Sequence, residues 1–170
     1  MSIIGKKFLN LFNKPAKRKV KGKAAKPFDE AAHIGIFYTW EDKAKEEAVE
    51  KMADFFRQTK QTELLCFNPS KEPVETEHET VSYNELSSLG KFNSDALNAF
   101  LKKPFDYFFV FDFDLNEVSR YTLIHTAANF RVGVHSEADM EYFELMIGIH
   151  KSAGFHNFAE QTVKYIKEIR

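Results

Sequence analysis

The chain has 170 residues, of which 44% are hydrophobic and 15% aromatic, so it can bury a sizeable core and is not a wholly disordered polypeptide. Its formal charge of −1 conceals a segregation: nine of the 24 basic residues and none of the acidic ones precede Asp29, leaving 15 basic against 25 acidic residues beyond that tail. The single cysteine, Cys66, excludes an internal disulfide, no Cys/His cluster has zinc spacing, and a reducing compartment follows as the natural setting.

The cations of the tail are Lys6, Lys7, Lys14, Lys17, Arg18, Lys19, Lys21, Lys23 and Lys26, giving +9 through Pro27 against −10 for the remainder. Within MSIIGKKFLNLFN, Ile4, Phe8, Leu11 and Phe12 recur at helical spacing, with Lys6, Lys7 and Asn10 elsewhere on the wheel. That pattern predicts a short basic amphipathic helix, weakened by about 1 kcal/mol at Gly5. It falls short of the roughly 20 continuous apolar residues of a membrane span. Lysines interrupt it and no small-residue cleavage site follows, so it does not read as a signal peptide, and a cytoplasmic protein is expected. NKPAKRKVKGKAAKPF, polar and punctuated by Pro15, Gly22 and Pro27, reads as disordered on its own. The expected organisation is a basic arm over 1–28 and one domain over 29–170.

Three readings of the arm stay open. Its cations can neutralise phosphates of RNA, the ribosome included, with strong salt dependence. The helix can lie on an anionic membrane surface with the polybasic run as a second anchor, peripheral to the inner membrane. Or the arm solubilises, or folds back on the acidic domain. No aromatic residue is interleaved with the lysines after Phe12, so contact with RNA would be mainly backbone electrostatics.

In the domain, HIGIFY (33–38) reads as a strand, and Thr39 as the cap of a helix running to about Thr59 whose apolar face is Ala44, Ala48, Val49, Met52, Phe55 and Phe56. Residues 64–67 read as a second strand. PSKEPVETEHET (69–80), broken by two prolines, reads as an exposed loop in which His78 stands without visible metal-binding neighbours. Residues 83–89 suggest a helical turn stopped at Gly90, and Ser94 opens a helix that Pro104 ends. The continuously apolar run 107–111 fits a strand covered on both faces, as in a parallel sheet between helices. A helix over Val118–Ala128, a strand at 130–134, a strand at 143–149 for which a helix is the alternative, a short connection between those two segments, and a helix over 155–169 complete the pattern. Alternating strands and helices predict an α/β three-layer sandwich, Rossmann- or flavodoxin-like, with a mainly parallel five-stranded sheet in order 2-1-3-4-5.

Ligands of such sheets bind beyond the carboxyl ends of the strands. The candidates on that rim are Asp112 and Asp114 in FDFDLN, and His135. Two aspartates two residues apart converge on a metal only if the chain turns after the first; otherwise they are a strand end and a helix cap, Asp114 or Asn116 serving as cap. The structural reading of the pair is preferred. His125 reads as a packed or surface histidine, and Cys66 as a small buried hydrophobe. There is no G-x-G-x-x-G after the first strand, no phosphate-binding G-x-x-x-x-G-K-[ST] and no G-x-S-x-G.

HIGIFYTWED, LGKFNSDALNAFLKKPFDYFFVF, AANFRVGV and ELMIGI, following a lysine-rich start, resemble a family of small uncharacterised α/β proteins of Bacteroidota. Those motifs are structural and bring no catalytic residues with them. FDYFFVF followed by a helix and ANFRVGV is also similar to part of the amino-terminal half of heptosyltransferase-type glycosyltransferases, which need a second domain that this chain has no room for. The expectation is a non-enzymatic accessory or binding protein with no cofactor, metal or small-molecule substrate, docking through its arm on RNA or a membrane. The alternative is a small enzyme, or a glycosyltransferase-like half-domain, using Asp112, Asp114 and His135.

Overall fold

A computed structural model describes Lys7, Leu9 and residues 26–169. The remaining tail cations, Lys6 and Lys14 to Lys23, lie outside the described residues, as do Ile4, Phe8, Leu11 and Phe12. Six strands form one sheet: β1 (His33–Thr39), β2 (Gln61–Asn68), β3 (Thr80–Ser82), β4 (Tyr107–Val110), β5 (Phe130–Val134) and β6 (Leu145–Ile147). Their order is β3-β2-β1-β4-β5-β6 and all five pairings are parallel. The five expected strands keep their expected order; β3 is added outside β2. It is three residues long with Val81 as its one apolar residue, too short and too polar for periodicity to reveal.

The α-helices of the domain are α1 (Lys43–Arg57), α2 (Asp95–Lys102), α3 (Glu117–His125) and α4 (Gly154–Ile166). Each of the first three starts where a side chain takes up a free amide. Asp42 accepts from the Lys45 amide, Ser94 from Leu97, and Asn116 from both Val118 and Ser119. Thr39, expected as the first cap, is instead the last residue of β1, with its side chain engaged elsewhere. A six-residue 3-10 helix, Glu137–Tyr142, joins β5 to β6, and Tyr83–Glu85 forms a shorter one.

The apolar strands alternate between two cores. From β1, Ile34, Ile36 and Tyr38 join one core, together with Tyr107, Phe109 and Phe111, under α1 and α4. Phe37, Phe108 and Val110 join the other, under α2 and α3. A run apolar at every position therefore serves two covered faces. Phenylalanine fills much of both: Phe111 stacks on Phe158 with centroids 4.3 Å apart, and Phe105 lies 5.0 Å from Phe100. Gly35 of β1 makes room for this packing, because a Cβ there would sit 2.7 Å from the fully buried Phe105 ring. Gly35→Ala is accordingly expected to cost about 1–3 kcal/mol through overpacking, read as a lowered midpoint in chemical denaturation.

Two residues of the expected arm are core residues. Phe28 packs its ring 5.7 Å from those of Phe56 and Tyr107, and its amide donates to the Ile169 carbonyl. Leu9 is helical and 0% exposed within the α2/α3 core, while Lys7 is exposed. The packed structure thus takes in residues that charge patterning assigns to a tail.

Candidate functional site

In an open parallel sheet the crevice for ligands opens where the strand order reverses, here between the carboxyl ends of β1 and β4. Thr39 ends β1 at this point and Asp112 lies two residues beyond β4. The Asp112 carboxylate is buried and points into the crevice. Its Oδ1 accepts from the Thr39 amide (2.8 Å) and from Lys45 Nζ (2.8 Å). Its Oδ2 accepts from the hydroxyls of Thr39 (2.9 Å) and Ser119 (2.6 Å). Asn116 Nδ2 donates to Thr39 Oγ1 (2.7 Å), so the residue that caps α3 also braces the end of β1.

Lys45 is 0% exposed. Besides Asp112 its ammonium reaches Glu41 (2.7 Å) and lies 4.7 Å from the centre of the Phe155 ring. Each carboxylate oxygen of Asp112 carries two donors, which exhausts its ordinary acceptor capacity. A carboxylate so held is a poor base, nucleophile or metal ligand, because its acceptor sites are taken by the protein's own groups.

The other two rim candidates stand apart from this network. Asp114 has a side chain 80% exposed and pairs with Lys151 (2.6 Å), a surface pair of small energetic consequence. His135 is exposed at the end of β5, with its amide bonded to Ile147. The two aspartates thus do not converge. Asp112 is a strand-end buttress, and Asn116 rather than Asp114 caps the helix. Among the described residues no group of three or more His, Cys, Asp or Glu side chains is arranged to hold a metal ion.

A second polar cluster was hidden from sequence reading. The crossover from β2 to β3 has no helix; residues 69–79 run across the α1 side, and His78 is not an exposed loop residue but only 11% exposed. Its Nδ1 lies 2.6 Å from the Tyr38 hydroxyl and its Nε2 2.8 Å from Glu50. With Nε2 protonated, Tyr38 donates to the ring and the ring to the carboxylate. Thr76 donates to Glu46, which Lys43 also holds (2.7 Å). Burial drives the Tyr38 phenol far above its usual range, and burial pushes the Cys66 thiol up to about 11. Both stay protonated at neutral pH, which suits tethering rather than reactivity. A cavity of about 250 Å³ beside the cluster is lined by Lys43, Glu46, Glu47, Glu50, Glu77 and His78.

A further cleft, about 260 Å³, lies beyond β2 and β3. Its Asn68 is bonded within the loop, to the Glu72 carbonyl (2.7 Å) and the Ser70 amide (2.8 Å). No helix among the described residues is long and apolar enough to cross a membrane.

In comparison with protein families, the chain matches a family of unknown function (DUF6913) over residues 3–169. The chain belongs to that family. The matched region includes the basic segment as well as the sheet, consistent with Leu9 and Phe28 standing in the two cores. No curated protein and no solved structure matches the chain.

Proposed function

We propose that the protein is a non-enzymatic binding protein of the cytoplasm that docks on RNA, ribosomal RNA included, through its basic segment. The observation that carries the reading is the segregation of charge: nine cations and no acid before Asp29, followed by a domain of net −10. A run of this kind is suited to neutralising closely spaced phosphates. Leu9 is committed to the protein core and so adds nothing to binding at the acyl boundary of a bilayer. The saturation of Asp112 and the separation of Asp114 and His135 weigh against a small enzyme or glycosyltransferase-like half-domain working at the rim.

The test uses the full chain and a variant with Lys14, Lys17, Arg18, Lys19, Lys21 and Lys23 changed to Gln. Substitution is preferable to deletion because removing the segment removes Leu9 as well. Fluorescence anisotropy with a labelled single-stranded RNA, over a salt series, runs in parallel with flotation on phosphatidylserine vesicles. Six phosphate contacts contribute about −4 to the slope of log K against log salt, and that contribution is lost in the variant. Charge-dependent flotation without RNA binding would overturn the reading in favour of a membrane partner.

A further inference from the structure

The domain adds an orientation to this reading. In a parallel α/β sheet the helices run opposite to the strands, so helix amino-termini lie at the carboxyl rim and helix carboxyl-termini at the edge where strands begin. Charges that complement the helix dipole then collect at opposite ends. The rim has Glu41, Asp42, Glu72, Asp114 and Glu137, all exposed. The cations nearest the crevice there are held by carboxylates: Lys43 by Glu46, Lys45 by Asp112 and Glu41, and Lys151 by Asp114.

At the opposite edge exposed cations stand at helix carboxyl-termini. Lys102 lies in the last turn of α2, Lys164 in the last turn of α4, and Lys167 caps that helix's end. All three are exposed and none has an ion-pair partner among the described residues; Lys164 and Lys167 rest only near aromatic rings, Tyr165 (5.7 Å) and Phe55 (4.3 Å). Lys60, just before β2, donates to the Ala31 carbonyl and sits 4.4 Å from the Phe28 ring. Acidic groups are present too. Glu63 is bound by Lys103 and His33, and Asp106 by Lys26 and the amides of Ala32 and His33, while Asp29, Glu30 and Glu168 are exposed.

The basic segment joins the domain at this same edge. Lys26 lies 3.6 Å from Asp106, and its carbonyl accepts from the Tyr107 hydroxyl at the start of β4. Burial works against the charge of Asp106, yet the Ala32 and His33 amides and Lys26 hold its carboxyl below the usual range, so the junction stays ion-paired at neutral pH.

We infer that the strand-start edge of the domain is itself an RNA-contacting surface, with Lys102 on the α2/α3 side and Lys167 on the α1/α4 side binding phosphodiester groups beside the basic segment. The acidic carboxyl rim then faces away from the RNA. This rests on the RNA reading above, and it places the contact at the end of the sheet opposite the crevice where ligands of such folds bind.

The experiment compares two double variants of equal charge change, Lys102→Gln with Lys167→Gln, and Lys71→Gln with Lys91→Gln. Lys71 and Lys91 are exposed on loops at the rim end, following β2 and β3, and are likewise without ion-pair partners among the described residues. The probe is the same labelled single-stranded RNA over a salt series, with the full chain. The edge pair is expected to make the salt slope shallower by about 1.4, about 0.7 per lysine, while the rim pair leaves it unchanged. Equal slopes for the two pairs overturn the inference. If the intact chain binds, the six-cation variant does not, and the edge pair binds like the intact chain, this inference fails while the RNA reading stands. If the intact chain binds no RNA at any salt, both fail.

Discussion

Asp112→Ala is expected to destabilise the domain by about 3–5 kcal/mol, the cost of leaving a buried charge without its partner. Lys45, fully enclosed, would keep only Glu41, whose own side chain is half exposed. The Thr39 amide and the hydroxyls of Thr39 and Ser119 would lose their acceptor at the same time. Chemical denaturation should show the midpoint falling with the slope unchanged. Lys45→Met combined with Asp112→Leu should recover much of the loss, because no unpaired charge remains, though the polar groups of Thr39 and Ser119 still want an acceptor. The double-mutant cycle should therefore give a coupling energy well above the few tenths of a kcal/mol of independent sites. This measurement also bears on function. A catalytic aspartate at this position would be replaceable with little loss of stability, whereas a buttress of the β1–β4 crevice would not. A cost under about 1 kcal/mol for Asp112→Ala would contradict the four-donor arrangement.

The same residue shows how far sequence reading reaches. FDYFFVF announces a strand buried on both faces, because nothing but two covered faces explains apolar residues at every position, and the alternation of Tyr107 and Phe109 against Phe108 and Val110 bears this out. The sequence favours a strand end or helix cap for Asp-x-Asp; in the structure Asp112 lies two residues past β4 and Asp114 pairs with Lys151 at the surface. The partners of Asp112 could not be named. Lys45, 67 positions away, stands on a helix whose lysines look like a solvated face, and Thr39, 73 away, ends a strand. Lys45 has the sequence signature of an exposed residue and the environment of a core one. His78 failed for the same reason: Glu50 and Tyr38 stand 28 and 40 positions distant, and the prolines around it suggested exposure. β3 failed because an edge strand of three residues has no period to detect. Local pattern therefore reveals which segments are buried, while long-range polar pairings, such as those of Asp112, leave no local trace.

Leu9→Ala is expected to cost about 2–5 kcal/mol, the range for truncating a buried leucine, while Lys7→Ala stays within about 0.5 kcal/mol. The contrast follows from geometry: Leu9 is fully enclosed in the α2/α3 core and Lys7, two positions away in sequence, is exposed. Amphipathic periodicity alone cannot separate a stripe that faces a bilayer from one that faces the protein's own sheet, since hydrocarbon and a Phe-rich core reward the same side chains. The energetic test can separate them. A residue reserved for lipid would be silent in the folding equilibrium of the protein, so Leu9→Ala would leave the denaturation midpoint in place and weaken vesicle binding. If Leu9 completes the core, its truncation lowers the midpoint and leaves electrostatic binding by the lysines beyond it intact. On that second outcome, Leu9 and Phe28, which flank most of the basic run in sequence, both belong to the folded domain, in cores at opposite faces of the sheet. Affinity for RNA is then expected to be coupled to the integrity of the fold. Leu9→Ala should then weaken RNA binding only under conditions that also populate the unfolded chain.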